Sequence, residues 1–279
     1  MQNDIEIKNL VNKSKQLRKK ICILSNELGH IHVGGLLSAT DIIVALYYKY
    51  LNFDVDNLES TNRNWFIPSK AHCALLLYLI FVDKGLYSAE DVFSNYKQFG
   101  YPFYQVPVRK VKGVEFSTGS LGHGLSLSIG VAISNKIKNI KSRIYCLCGD
   151  GEMQEGTVWE AIMYAGSHNL SNIVCIVDFN QSTAAFRQGD NIVIDWNKAF
   201  IGFGWEVKCI DGTNMKEIVD NFEALPDVDF SISRKPIAII AKSKKGQGVG
   251  FMEGPMWHYG HLDTKKLLEA LHSIDEKYL

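Results

Sequence analysis

Short apolar runs alternate with stretches of helical spacing over most of this chain. Four apolar runs predict buried strands at 143–148, 172–178, 205–210 and 236–242. The stretch from Gln154 to Leu170, between the first two runs, spaces its apolar residues as an amphipathic helix does. Strands that alternate with helices in this way are typical of a parallel sheet.

The chain before the first of these strands is predicted to be mainly helical. Helices are expected at 4–28, 38–51, 71–84 and 122–138, with a short extended segment at 62–67. Ser88 is a further helix start, because acidic residues follow it in the first turn. The segments 100–118 and 182–197 are predicted loops, and the second carries Arg187 and Asp190.

Neither a repeat nor a linker interrupts this pattern. We therefore expect an α/β fold in which helices cover both faces of a parallel sheet. The whole chain, 1–279, is expected to form a single domain.

Asp150 and Asn180 stand directly beyond the ends of the first two predicted strands. In a parallel sheet both positions reach the carboxyl edge, where α/β proteins bind ligands. Their side-chain oxygens suit Mg²⁺ or Ca²⁺, and the glycines that flank Asp150 let the backbone approach a phosphate. A lone Gly-Asp-Gly is more often a tight turn with a capping Asp. The Asn after the next strand favours a metal site instead.

Composition limits the classes of partner. The 279 residues include 30 basic and 30 acidic side chains, so the balanced charge gives no reason to expect nucleic acid. Residues 1–20 are polar, so no signal peptide is expected, and no apolar run is long enough to cross a membrane. The six cysteines show no Cys-x-x-Cys spacing, which favours reduced, buried thiols in a cytoplasmic protein.

A longer motif surrounds Asp150. Residues 149–161 read Gly-Asp-Gly-Glu-Met-Gln-Glu-Gly-Thr-Val-Trp-Glu-Ala, and Asp178-Phe179-Asn180 closes the motif. This segment resembles the thiamine-diphosphate motif of transketolases. Further blocks similar to that family follow its order, at 32–38, 69–72, 113–124, 235–241 and 245–253. The resemblance therefore covers nearly the whole chain.

The resemblance implies the diphosphate-binding domain of the thiamine-diphosphate-binding fold. It implies transfer of a two-carbon ketol unit from a ketose donor to an aldehyde acceptor, with sugars or sugar phosphates as substrates. By the same resemblance Asp150, Asn180 and the backbone carbonyl of Ser182 bind Mg²⁺ or Ca²⁺. The residues expected to contact thiamine diphosphate are His72, Gly119, Leu121, Gly151, Glu152, Asn180 and His258.

Three residues are expected to take part in catalysis by the same resemblance. His32 and His258 face substrate oxygens and move protons, and Glu155 relays protons where two subunits meet. From the residues alone, His258 could equally pack in its loop, and Glu155 reads as an exposed helix carboxylate. His72 could simply begin a helix.

Two positions depart from the family pattern. Ala71 stands where relatives usually have Gly. Tyr101 stands where they usually have a His that contacts the donor sugar, and a phenol is not protonated at neutral pH as an imidazole can be. The alternative for Tyr101 is packing with Phe99 and Phe103. The usual sequence after Asn180 also differs, so the ordinary pentose-phosphate sugars are in doubt.

The resemblance also implies a missing part, because the Glu that activates the cofactor belongs to a pyrimidine-binding domain. The chain therefore looks like the N-terminal subunit of a split transketolase. We expect self-association and a C-terminal subunit, in an α2β2 assembly. Two alternatives remain open: a related ketol or acyl transferase of specialised biosynthesis, and a cofactor-binding subunit without catalysis.

Overall fold

The computed structural model describes residues 2–61, 63–184, 186–187 and 192–278. The described strands are β1 Trp65–Pro68, β2 Ile144–Gly149, β3 Ile173–Phe179, β4 Ser182–Thr183, β5 Phe186–Arg187, β6 Glu206–Asp211 and β7 Ile237–Lys242. The central sheet has the order β1-β2-β3-β7-β6, and every neighbouring pair in it is parallel. The short β4 and β5 form a separate antiparallel pair.

The described α-helices are α1 Gln2–Glu27, α2 Val33–Ala45, α3 Ala74–Asp83, α4 Ala89–Phe93, α5 His123–Ile137, α6 Gly156–Ser167, α7 Trp196–Gly202, α8 Met215–Glu223 and α9 Thr264–Lys277. Side-chain caps begin several of them. The Ser88 hydroxyl accepts the Asp91 N–H at 3.0 Å at the start of α4, as its sequence predicted. Asp263 caps α9 in the same way, accepting the Lys266 N–H at 2.8 Å.

Helices cover both faces of the sheet. Because side chains along a strand alternate between the two faces, each strand contributes to the packing on both. Val174 and Ile176 of β3 join one buried cluster, which includes residues of α1, α2, α3, α8 and α9. Ile173 and Cys175 of the same strand join a second cluster with residues of α5, α6 and α7. The expected fold class, a parallel sheet with helices on both faces, is confirmed.

Some element boundaries differ from those expected. The segment 182–197 is not entirely loop, since it holds β4, β5 and the start of α7; Asp190 lies outside the described residues. The helix expected at 38–51 begins earlier, at Val33, and its last turn is a π-turn at Leu46–Tyr50. The helix expected at 71–84 begins with a 3-10 turn at Ala71–Cys73.

The burial of the cysteines and the lengths of the helices bear on two further expectations from the sequence. Cys22, Cys73, Cys146, Cys148 and Cys175 are buried as free thiols, whereas Cys209 is exposed. Among the described residues no helix combines the length and the apolar character that crossing a membrane requires.

Candidate active site

A cleft of about 410 Å³ opens at the carboxyl edge of the sheet, beside the ends of β2 and β3. Loops from distant parts of the chain meet there, because the loops that follow parallel strands emerge at one edge. The lining residues are His32, Gly35, Lys70, Ala71, His72, Val106, Gly119, Leu121, Gly149, Asp150, Gly151, Glu152, Gln154, Glu155, Asn180, Ser182, Thr183, Ala184, Lys245 and His258. Every expected site residue except Tyr101 is among them.

Asp150 and Asn180 bring two incompletely satisfied oxygen groups to this cleft. Asp150 is 1% exposed, and its carboxylate accepts the Ser182 N–H at 3.3 Å. Burial, together with the charge of Asp178, raises the pKa of Asp150 to about 7. Within the described part of the chain, the buried Oδ1 of Asn180 accepts no hydrogen bond. Such oxygens fit a hard cation, because burying them without a partner costs free energy.

A buried ion pair adjoins Asn180. The Lys70 ammonium is paired with the Asp178 carboxylate and also donates to the Gly35 carbonyl at 2.8 Å. Its third bond goes to the Ser38 hydroxyl at 3.1 Å. These three bonds use all three hydrogens of the ammonium, so Lys70 has no donor left for a ligand. Its bonds instead connect three residues around the cleft. Sequence reasoning gave it no role, since a lysine is rarely fully buried.

Glu152 connects two glycine-containing loops of the cleft through hydrogen bonds. One carboxylate oxygen accepts the Gly149 N–H at 2.8 Å, and the other accepts the Gly122 N–H at 2.9 Å and the Ser69 hydroxyl at 2.7 Å. Burial raises the pKa of Glu152, although these bonds act in the opposite direction. The carboxylate therefore fixes the backbone on either side of the cleft, at a position where the sequence predicted a cofactor contact.

Three imidazole rings form a triangle at the cleft. The ring centroids lie 5.2 Å apart for His32 and His72, 5.3 Å for His32 and His258, and 5.5 Å for His72 and His258. Burial and the charge of Lys70 lower the pKa of His32 to about 4. Burial and Lys245 lower that of His258 to about 4, and burial also lowers that of His72. All three rings are therefore neutral at pH 7 and can accept hydrogen bonds.

The glycine pair that follows His32 is explained by close packing at the start of α2. A Cβ on Gly35 would lie 2.7 Å from the Nε2 atom of His72, and a Cβ on Gly34 would lie 2.2 Å from the Trp257 carbonyl oxygen. A larger residue at position 35 would therefore push the His72 ring away, and one at position 34 would displace the backbone at Trp257. The His-x-Gly-Gly motif thus brings the loops of His72 and His258 against the helix.

Lys245 is a cleft residue that sequence reasoning missed. It is 3% exposed, it lines the cleft, and its ammonium donates to the Ala184 carbonyl. Burial, together with the positive charge of Lys70, lowers the pKa of Lys245 to about 8. In the sequence, the one indication of a site role for Lys245 was its position directly before a glycine-containing loop. A cation here, facing the cleft that holds Asp150, suits an anionic ligand.

The family model for the thiamine diphosphate binding domain of transketolase matches residues 13–261. The chain belongs to the transketolase family. The expected resemblance is thereby confirmed, as is the expectation of a thiamine-diphosphate-binding domain.

Two relatives match over almost their full length, and each is named as one of the subunits of an apulose-4-phosphate transketolase. The one from Actinobacillus succinogenes is 36% identical over 254 residues, which cover 90% of this chain and 90% of the relative. The one from Phocaeicola vulgatus is 31% identical over 275 residues, covering 98% and 96%. These matches confirm the expected N-terminal subunit of a split transketolase.

A solved transketolase from Campylobacter jejuni shows the same fold, with 27% sequence identity and a TM-score of 0.80. The alignment covers 100% of this chain but 47% of the Campylobacter chain. This chain therefore spans about half the length of that transketolase.

The rim of the cleft includes exposed residues of the transketolase motifs. Glu155 is exposed on this single chain, and Leu121 is 49% exposed. The proton relay predicted for Glu155 at a contact between subunits stays a prediction. Gly119 and Gly151 also line the cleft, and their cofactor contacts likewise stay predictions.

Tyr101 does not line the cleft; its side chain is 48% exposed, and Phe99 beside it is fully exposed. Another tyrosine lies closer to the site. Tyr259 packs against His32 with a centroid distance of 4.9 Å, and its hydroxyl accepts the Gln105 amide N–H at 3.2 Å. The role of Tyr101 toward a donor sugar therefore stays a prediction.

Proposed function

We propose that this chain is the N-terminal subunit of a two-chain transketolase that depends on thiamine diphosphate and Mg²⁺. The proposed reaction moves a two-carbon ketol unit from a ketose donor to an aldehyde acceptor. The observation that carries the proposal is the meeting in one cleft of Asp150, the cation Lys245 and the Asn180 oxygen, which has no hydrogen-bond partner among the described residues. Opposite charges placed there suit a metal ion bound together with a diphosphate.

The cation would be held by Asp150, Asn180 and the Ser182 carbonyl, with Ca²⁺ as an alternative to Mg²⁺. Lys245, which the structure adds to the expected set, would neutralise part of the diphosphate charge. The remaining cofactor contacts would come from His72, Gly119, Leu121, Gly151, Glu152 and His258. When bound, thiamine diphosphate supplies the electron sink that cleavage of a carbon–carbon bond beside a carbonyl requires.

His32 and His258 are proposed to bind substrate oxygens and to move protons. Their low pKa values keep both imidazoles neutral at pH 7, so each ring has one nitrogen that can accept and one that can donate. A neutral imidazole beside a substrate hydroxyl can act as a general base. Glu155, at the rim, is proposed to connect this site with a neighbouring subunit.

A second subunit is proposed to complete the site. The relatives of matching length are named as subunits, and the solved transketolase continues over a similar length that this chain does not match. We propose a C-terminal subunit with a pyrimidine-binding domain, self-association of this chain and an α2β2 assembly. The five buried free thiols also support a cytoplasmic location.

The substrates are proposed to be small sugars or sugar phosphates. The relatives named for apulose 4-phosphate favour a specialised sugar over the common pentose phosphates. The segment after Asn180, which departs from the usual transketolase sequence, supports the same preference.

The test is reconstitution of this chain with its C-terminal subunit and an assay of ketol transfer between sugar phosphates. Activity should require both chains, thiamine diphosphate and Mg²⁺. An Asp150→Asn variant should assemble with the partner but show no transfer. Transfer that persists without the cofactor, or with this variant, would overturn the proposal.

A further inference from the structure

Ser38 of α2 lies buried beside Asn180 at the centre of a hydrogen-bond network. Its Oγ atom is 2.7 Å from the Oδ2 atom of Asp178 and 3.1 Å from the Gly35 carbonyl oxygen. The Lys70 ammonium approaches it at 3.1 Å, and the Asn180 amide nitrogen approaches it at 3.3 Å. The hydroxyl therefore faces two acceptors and two amino groups.

The hydrogen count decides the direction of each bond. A hydroxyl has one hydrogen and two lone pairs, whereas a carboxylate and a carbonyl only accept. The single hydrogen of Ser38 must therefore go to Asp178 or to Gly35, and its lone pairs remain for Lys70 and Asn180. Asn180 can therefore contact Ser38 only through its NH₂ group, which donates to the Ser38 oxygen.

This direction matters because an amide has a donor end and an acceptor end. With the NH₂ group of Asn180 bound to Ser38, the Oδ1 atom is left free, and it is buried without a hydrogen-bond partner in the described structure. Asn180 lines the cleft beside Asp150. If the amide were reversed, its N–H groups would replace the oxygen and would repel a cation.

We propose that Ser38 is a positioning residue for the metal site: it fixes the Asn180 amide so that its oxygen is available to the cation. This inference rests on the proposed function, because it assumes that Asp150 and Asn180 bind Mg²⁺. Ser38 acts entirely through Asn180. Removing its hydroxyl leaves the amide free to take either orientation.

The test is a calorimetric titration of the full chain with Mg²⁺ in the presence of thiamine diphosphate. Ser38→Ala should weaken Mg²⁺ binding about tenfold, as loss of groups that orient metal ligands usually does. The matched control is Thr40→Ala on the same helix, which also removes a buried hydroxyl, one that donates only to the Leu36 carbonyl at 2.9 Å. It should leave Mg²⁺ affinity unchanged.

A second background separates orientation from general loosening of the site. In an Asn180→Asp chain the side chain ends in two oxygens, so it has no donor end to misdirect. Adding Ser38→Ala there should cause no further loss of Mg²⁺ affinity. An equal loss in both backgrounds, or an unchanged affinity of Ser38→Ala alone, would overturn the inference.

Two further measurements keep the outcome clear. If Ser38→Ala does not fold, Ser38→Cys retains a similar volume with a weak acceptor, and it should weaken Mg²⁺ binding in the same way.

Wild type and Asp150→Asn are titrated alongside. If wild type binds no Mg²⁺, or Asp150→Asn binds it as well as wild type does, the proposed metal site fails. If these two behave as expected and the Ser38 variants match wild type, only the inference about Ser38 fails.

Discussion

Asp150 and Asn180 are both proposed to give oxygen ligands to a cation, but only the Asp150 carboxylate would also supply charge. Asp150→Asn keeps the volume of the side chain and removes that charge. Without ligands the variant should unfold at the wild-type temperature or above it, because burial raises the pKa of Asp150 and the neutral amide avoids the cost of burying a charge. The stabilisation that Mg²⁺ and thiamine diphosphate give the wild-type chain should disappear. Thermal unfolding with and without both ligands measures the difference.

Asp229, which does not line the cleft, provides the control for this substitution. Asp229→Asn should gain as much stability from the ligands as wild type does. A similar gain in Asp150→Asn would show that the cation binds elsewhere.

The imidazoles of His32 and His258 should make stability depend on pH. In the unfolded chain they take up protons near pH 6.5, but in the folded chain they do so near pH 4. Between these values the unfolded state binds more protons, so acidification from pH 7 to 5 lowers the free energy of unfolding. Replacing either residue by Gln should reduce that loss. Urea unfolding of the ligand-free chain at both pH values measures it.

His272 is the matched control, because its side chain is exposed and does not line the cleft. His272→Gln should keep the wild-type dependence on pH. Other groups titrate over the same range, but they are common to all the variants. If His32→Gln and His258→Gln lose as much stability as wild type, the two rings are not buried as described.

The predicted contact of Tyr101 with a donor sugar can be tested in the two-chain enzyme. If its hydroxyl binds the donor, Tyr101→Phe should change the relative kcat/KM of different ketose phosphates by about tenfold, the usual effect of one specific hydrogen bond. Gln105→Leu is the comparison, because Gln105 bonds to Tyr259 beside His32. A uniform change for all donors in Tyr101→Phe would remove Tyr101 from the choice of donor.

At the scale of elements, the sequence predicted the strands of the central sheet well, but not the short β4 and β5. The strands expected at 143–148 and 172–178 occur at Ile144–Gly149 and Ile173–Phe179, because a fully buried parallel strand is apolar on both faces. The helix Thr264–Lys277 was missed, although Asp263 marks its start. It covers the core with few buried residues, so its pattern is mainly polar.

The site was predicted only in part, for a physical reason. Asp150 and Asn180 could be inferred because they follow strands that were themselves predictable. The roles of Lys70, Lys245 and Ser38 depend on which segments meet in space, and a lysine or a serine is more often solvated than buried. Their burial is a property of the assembled fold.

The first turn of α2 carries a prediction about packing. Gly35→Ala should destabilise the chain by about 1–3 kcal/mol, as overpacking does, and should weaken thiamine diphosphate binding, because the new methyl group meets the His72 ring. The control is Gly130→Ala within α5, where a Cβ meets nothing within 4 Å. It should stabilise the isolated chain by about 1 kcal/mol. Urea unfolding and calorimetry measure both effects.

These two variants should therefore move the stability of the chain in opposite directions. A Gly35→Ala chain with unchanged stability and cofactor affinity would show that the histidine triangle can relax at no cost.

At the scale of the whole molecule, the cleft is proposed to bind the metal and the diphosphate, and the partner is proposed to supply the rest. We expect the chain alone to bind thiamine diphosphate weakly and much more tightly with its C-terminal subunit. Calorimetry with and without that subunit measures the difference. Equal affinity in both cases would argue against a site shared by two chains. That the chain forms a single domain also stays a prediction.

The placement of Lys245 and Asp150 in one cleft has a thermodynamic consequence. Asp150 repels an approaching diphosphate, and Lys245 repels an approaching cation, so each ligand removes a repulsion that the other would meet. Mg²⁺ and thiamine diphosphate should therefore bind cooperatively. Because this coupling is a property of the ternary complex, the factor by which Mg²⁺ raises the affinity for the cofactor equals the factor by which the cofactor raises the affinity for Mg²⁺.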